Sequence, residues 1–246
     1  MMMKSKFSLT LRTVLLVSML WLNAIELWAQ DEGGGASSSM KFGLKTGLVS
    51  SRYNIAGASS GGIKNDVLGG VLFQMGFANG LGLNFEALYT RMGAANVGGD
   101  LFFSIENKNN STPVLFSDVT TQGIRVPILF NYSIPGIESD MRPYISVGTE
   151  LGFNLSSKAI NTSTYESNGS EYTFTTDQKL GGKIKMFDLA AVVGTGFVLS
   201  GQYVSYVFDL RYNLGLMNVN NAYSYYIDNA VYTRAFNASF GVTYDF

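Results

Sequence analysis

The segment "FGVTYDF", Phe240–Phe246, alternates strictly: Phe240, Val242, Tyr244 and Phe246 are apolar or aromatic, and Gly241, Thr243 and Asp245 between them are small or polar. A two-residue period sends successive side chains to opposite faces of an extended strand. Such a strand has one apolar face, and an aromatic side chain left in water at a fraying terminus costs solubility. What covers that face sets the class of the protein.

The same period recurs along the chain. Phe42, Leu44, Thr46 and Leu48 alternate with Lys41, Gly43, Lys45 and Gly47. Val71, Phe73, Met75 and Phe77 alternate with Gly70, Leu72, Gln74 and Gly76, and Leu81, Leu83, Phe85, Ala87 and Tyr89 with Gly82, Asn84, Glu86 and Leu88. Ile124, Val126, Ile128, Phe130 and Tyr132 oppose Gly123, Arg125, Pro127, Leu129 and Asn131. Further on, Ile145–Phe153 opposes Tyr144, Ser146, Gly148, Glu150 and Gly152; Phe187–Phe197 opposes Asp188, Ala190, Val192, Gly194 and Gly196; Tyr206–Leu214 opposes Val207, Asp209, Arg211 and Asn213. With Phe236–Phe246 these make eight strands, most of them close to the ~9–11 residues that a tilted strand needs to cross a bilayer.

The connections alternate in length. They are short at Ala78–Gly80, Pro135–Met141 and Ser200–Gly201, and about 20 to 30 residues elsewhere, which is the asymmetry of an outer-membrane barrel. Within two of the long connections, Leu101–Ile105 with Val114–Phe116, and Ser163–Tyr165 with Glu171–Thr176, read as hairpins rising above the membrane; a fifth pair of spanning strands is the alternative. The expected fold is all-β, an eight-stranded antiparallel up-and-down transmembrane β-barrel with short periplasmic turns and long extracellular loops.

The two faces differ in kind. One carries Phe, Tyr, Leu, Ile and Val without charge; the other carries Gly, Ser, Asn and Gln, with Lys41, Lys45, Arg125 and Arg211 against Glu86, Glu150, Asp188 and Asp209. Four charges of each sign suit a narrow interior in which buried charges need partners, and eight strands leave an interior that side chains fill. The reading is therefore an inverted protein: an apolar exterior against lipid, and these eight residues as a structural ion-pair network in a plugged lumen. A proton or ligand path through the same charges is the functional alternative.

Composition limits the chemistry. The 246 residues include no Cys and no His. Disulfides, thiol catalysis and thiolate metal sites are thereby excluded, as are the usual general base and any Ser-His-Asp triad. Glycine pairs at Gly80–Gly82 and Gly194–Gly196 do not open helices and so cradle no phosphate, and the loop aspartates lack calcium-loop spacing. No cofactor, metal or catalytic residue is expected, and the protein is expected not to be an enzyme.

Lys4, Lys6 and Arg12 precede the apolar run Val14–Ile25, with Ala29 placed for cleavage, so residues 1–29 read as a secretory signal peptide. Residues 30–39, Gly- and Ser-rich, read as a flexible leader, and 40–246 as the barrel domain. Taking Lys4, Lys6, Arg12 and Glu26 from 17 basic and 18 acidic residues leaves 14 against 17, a net charge of −3. A nucleic-acid partner would want a basic face, so none is expected.

The segments "MKFGLKTGLVSS" (40–51), "GLGLNFEALYTRMG" (80–93), "RVPILFNYSI" (125–134), "RPYISVGTELGFNL" (142–155) and "RYNLGLMNV" (211–219), in that order, resemble the PorT-like outer-membrane β-barrel family of Bacteroidetes-type bacteria. The resemblance implies an eight-stranded barrel in the outer membrane with no shared catalytic site. Phe246 is expected to close the last strand at the periplasmic aromatic girdle, and the terminal aromatics Tyr244 and Phe246 resemble the C-terminal signal by which outer-membrane barrels are recognised by the assembly machinery. One founding member serves a type IX secretion apparatus, so an accessory role with a protein partner in a secretion complex stands as an alternative. The leading expectation is a non-enzymatic barrel, surrounded by outer-membrane lipid, whose extracellular loops shield the surface or recognise something. Tyr223, Tyr225 and Tyr226 in "NNAYSYYIDNAVY" (220–232) are the candidate recognition loop, since Tyr offers contact area at low entropic cost. A lipocalin-like periplasmic carrier is the remaining alternative.

Overall fold

The structure is a computed structural model and describes residues 39–56, 60–98, 116–134, 141–167, 170–221 and 230–245. The expected signal peptide, all of the expected leader but Ser39, the expected hairpin segments Leu101–Ile105 and Val114–Phe116 except Phe116, Tyr223, Tyr225, Tyr226 and Phe246 lie outside them.

Nine strands lie among the described residues: β1 (Ser39–Ile55), β2 (Lys64–Gly76), β3 (Leu81–Gly98), β4 (Phe116–Ser133), β5 (Met141–Ser167), β6 (Ser170–Lys179), β7 (Phe187–Ser200), β8 (Val204–Gly215) and β9 (Val231–Asp245). Every pairing is antiparallel, and β1 pairs with both β2 and β9, so the sheet closes on itself. The ring runs β1-β2-β3-β4-β5-β7-β8-β9. From Lys41 the path through registered partners passes Gln74, Asn84, Leu129, Gly148, Val192, Asn213 and Ala235 and returns to β1 at Ser51, ten residues along from its start. That stagger is the shear that tilts the strands, and in barrels of this kind the tilt is about 35–45°.

The alternation is explained by two environments. Leu44 and Leu48 are 65% and 63% exposed while Lys45 between them is 4% exposed. Charge inside and leucine outside is the reverse of a water-soluble barrel, and it fits a lipid-facing exterior. Aromatics gather on the outer face toward the short-turn end, where Phe42 opposes Phe73 and Tyr244, and Phe208 lies between Phe197 and Phe240 with ring centroids 4.7 and 5.0 Å away. Inside, several glycines are required by close approach: a Cβ at Gly43 would run into the Val242 carbonyl, and one at Gly70 into that of Ala87.

The strands run further than the sequence pattern predicts. β1 continues to Ile55 and β2 begins at Lys64, so the first long connection shrinks to residues 56–63. The ladder continues above the apolar band, where the backbone N–H and C=O groups go on pairing strand to strand. β6 is no spanning strand: it pairs with the outer part of β5, Lys158–Ser167, while β7 pairs with Met141–Phe153 below. This is the expected hairpin above the membrane. Two irregularities reverse which residues point inward. In β3 the register shifts between Ala94 and Val97, with Asn96 at φ 50°; in β5 the pairing with β4 steps from Asn154 to Ser156, leaving Leu155 as the extra residue.

Two of the short turns lie among the described residues. A single 3-10 turn, Ala78–Gly80, joins β2 to β3, with Asn79 and Gly80 at φ 61° and 77°, and Gly201 N–H donates to the Val204 carbonyl at 3.0 Å between β7 and β8.

Candidate functional site

The interior is built in layers because inward positions of neighbouring strands meet at similar heights. At the short-turn rim, Lys41 Nζ pairs with Asp245 Oδ2 at 2.8 Å and donates to Ser205 Oγ at 3.0 Å. Deeper in, Lys45, Glu86, Asp209 and Arg211 come from β1, β3 and β8 and form one neutral cluster. Lys45 Nζ lies 2.8 Å from Glu86 Oε1 and is also paired with Asp209. Arg211 grips Glu86 with both terminal nitrogens at 2.8 Å and reaches Asp209 Oδ2 at 3.0 Å. Tyr144, from β5, lies over Gly196 of the intervening β7 and donates its hydroxyl to Asp209 Oδ1 on β8. Opposite charges held this closely offset their own desolvation through such charge-assisted hydrogen bonds, although Arg211 Nε is buried without a partner.

Above this cluster is an apolar layer of Val49, Leu68, Leu88, Met92 and Ala235. Beyond it a second ionic group forms: Arg125 Nη1 to Asp188 Oδ2 at 3.3 Å, and Arg125 Nη2 to Asn154 Oδ1 at 2.8 Å. Asp188 also accepts from Thr233 Oγ1 at 3.2 Å and from Leu189 N–H at 2.8 Å. A cavity of about 10 Å³ adjoins it, lined by Tyr53, Met92, Thr121, Arg125, Asn154, Ile184, Val219 and Thr233, which is room for about one water.

Two segments beyond the strands cross the mouth at the long-loop end. Ile184 bridges Asn220, Lys185 N–H donates to the Val219 carbonyl at 2.8 Å, and Asn221 N–H to that of Lys183 at 2.9 Å. Their apolar side chains Leu180, Ile184 and Val219 are buried together with Ile55, Val97, Val119 and Val231.

Of the eight charges expected to form one network, the structure brings four into one cluster and two into another. Lys41 sits apart at the rim with Asp245. Glu150 has no cation within ion-pair distance among the described residues; it accepts from Asn213 Nδ2 at 2.7 Å, and Asn213 accepts from Asn237 at 3.2 Å. The expectation of an ion pair at Glu150 is corrected for a simple reason: Arg125 and Arg211 are already held by Asp188 and by Glu86 with Asp209, and the strand register delivers an amide there instead. Tyr144, Asn154, Asn213 and Asp245 were not among the expected site residues. A large Tyr on the glycine-rich face was the one sequence signal for Tyr144; the others depend on register. Tyr244 is exposed on the outer face at the short-turn end. Among the described residues no three carboxylates converge as a metal site.

The family described as "Outer membrane protein beta-barrel domain" matches residues 28–221. Among solved structures, the chain is similar to Neisserial surface protein A, at 16% identity over 83% of this chain and 97% of that one, with a TM-score of 0.43. It is similar also to Ail, the attachment invasion locus protein of Yersinia pestis, at 15% identity over 84% and 99%, TM-score 0.38. A third is the N-terminal β-barrel domain of Pseudomonas aeruginosa OprF, at 10% identity over 82% and 97%, TM-score 0.36. No curated protein matches the chain.

Proposed function

The chain belongs to the outer membrane protein β-barrel domain family and resides in the bacterial outer membrane, and from that premise we propose that it is a closed, non-enzymatic anchor that displays its extracellular strand extensions and loops. The observation that carries this is the neutral cluster of Lys45, Glu86, Asp209 and Arg211 with the Tyr144 hydroxyl bound to it. Such a cluster obstructs the lumen with its own four charges paired, and Glu150, which has no ion pair, is held by the Asn213 amide. The apolar segments over the mouth support the same reading. In a closed barrel what remains for function is the part above the membrane, where β5 and β6 project as a hairpin.

The finer affiliation, with the PorT-like branch, rests on the order of the segments along the chain. The signal peptide of residues 1–29 supplies export, and assembly machinery reading Tyr244 and Phe246 supplies insertion. The test is solute efflux from lipid vesicles carrying the purified barrel. Vesicles loaded with salts and small sugars hold their contents if the lumen is closed; size-dependent release refutes the anchor reading. Deleting the hairpin tip, residues 163–174, is expected to leave the heat-dependent gel mobility of the barrel intact, since the tip lies beyond the ring.

A further inference from the structure

Where the outer face of the barrel changes from apolar to polar, it carries an unexplained like-charged pair. On β1 the outward residues run Phe42, Leu44, Thr46, Leu48, then Ser50, Arg52 and Asn54. Arg52 stands directly opposite Arg234 of β9 in the ladder, and Arg234 shares the outward parity of Phe236 and Ala238. Like charges directly opposed across strands are destabilising. Among the described residues neither has a carboxylate within ion-pair distance, whereas Arg91 at the same boundary on β3 is paired with Asp66 at 3.4 Å. Arg234 Nη1 donates to the backbone carbonyls of Gly215 and Thr233, at 2.8 and 3.1 Å, and its guanidinium lies over the Tyr232 ring at 6.0 Å from the centroid, so the second cation is fixed in place without meeting an anion among the described residues.

Below the pair the apolar surface dips. Leu48 and Phe236 are exposed beneath the arginines, with Ala238 opposite Leu48, and one step further down β1 Thr46 stands between Gly69 of β2 and Phe240 of β9. Gly69 differs from the inward glycines. A Cβ there would meet nothing nearer than the Lys45 carbonyl at 3.6 Å and Thr46 Oγ1 at 3.9 Å, and its φ is not positive. Neither the barrel's packing nor its backbone asks for glycine at this place, and glycine weakens a strand interior. A strand glycine without an internal reason marks close approach by something outside.

We propose that this strip of β9, β1 and β2 binds a phosphorylated lipid of the outer leaflet, its phosphate between Arg52 and Arg234 and an acyl chain lying in the dip at Thr46 and Gly69. An anion relieves the like-charge pair, and Arg forks suit phosphate oxygens. The lipid source, rather than free phosphate, follows from position: the pair sits at the long-loop, extracellular edge of the apolar band. Six residues of strand, about 20 Å, separate Arg52 from Thr46, a span comparable with an acyl chain. The inference rests on the outer-membrane location and is independent of whether the lumen is closed.

The experiment is native mass spectrometry of the full barrel extracted from its own outer membrane in mild detergent, with heat-dependent gel mobility as the folding control. The wild type is expected to carry one phosphorylated lipid adduct. R52Q together with R234Q is expected to lower its occupancy at least tenfold, and Gly69→Leu, which fills the dip and keeps both charges, several-fold. R52K with R234K retains charge and recovers most of the binding. Lys158→Gln, on the outer face of β5, leaves the adduct unchanged. Equal occupancy in the wild type and the folded glutamine variant, or loss equally severe for Lys158→Gln, overturns the proposal. Displacement of the adduct by millimolar inorganic phosphate, or indifference to Gly69→Leu, assigns a bare anion site and overturns it as well.

Discussion

Replacing Glu86 by Gln tests whether the inner cluster holds the barrel together. Glu86 and Asp209 have side chains with no solvent exposure, and Lys45 and Arg211 are 1% and 4% exposed. Glu86 accepts three charge-assisted hydrogen bonds, one from Lys45 and two from Arg211, each at 2.8 Å. Glu86→Gln turns a neutral buried group into one with an uncompensated positive charge. Removing one partner of a buried pair costs about 3–5 kcal/mol. Lys45→Met leaves two carboxylates for Arg211 and costs a similar amount. The double variant restores neutrality with the Arg211–Asp209 pair and an apolar side chain in place of the ammonium, so its loss falls well below the sum of the two single losses. The assay is urea unfolding in lipid vesicles followed by far-ultraviolet circular dichroism, with a reversible transition as the condition for comparing midpoints. A loss under about 1 kcal/mol for Glu86→Gln, against the ~3–5 expected, refutes the reasoning. So does an additive double variant.

Three further outcomes follow from the same geometry. Leu44→Arg, on the exposed outer face, is expected to destabilise the folded barrel by about 2–4 kcal/mol in a bilayer, read in the same unfolding assay. Gly70→Val is expected to abolish the heat-resistant folded form on gels, since its Cβ meets the Ala87 carbonyl, while Gly69→Ala one residue away leaves that form intact. Leu180→Ala removes a fully buried side chain from the segments over the mouth and is expected to cost about 2–5 kcal/mol locally, seen as faster proteolysis between 181 and 186 with the barrel itself resistant.

The barrel was legible because its two faces lie in different solvents. Phe42, Leu44 and Leu48 against Lys41 and Lys45 is a pattern that neither a soluble core strand nor a helix produces. Strand lengths were less legible, because the ladder at Ser50–Ile55 continues after the lipid contact that wrote the pattern has ended. Parity was lost at Asn96 and Leu155, where one extra residue turns the strand over and no residue type announces it. The charge partners were the least legible. Lys41 pairs with Asp245 and Glu150 with Asn213 because of register between strands far apart in sequence, and alternation carries no information about register. The interior apolar layer was hidden for a different reason: Val49, Leu68, Leu88 and Met92 lie on the face that elsewhere carries charge, so a two-faced reading assigns them no role.

The most direct measurement uses the absence of cysteine in the natural chain. Single cysteines placed along β1 from 41 to 55, each carrying a small fluorophore, are scored in vesicles for quenching by brominated lipid chains. The account predicts quenching at 42, 44, 46 and 48, silence at 45, 47 and 49, and no quenching from 50 onward, where the outward residues become polar. Quenching at 45 and 49 with silence at 44 and 48 would turn the barrel inside out, and a signal without parity would contradict the closed, inward-charged architecture altogether.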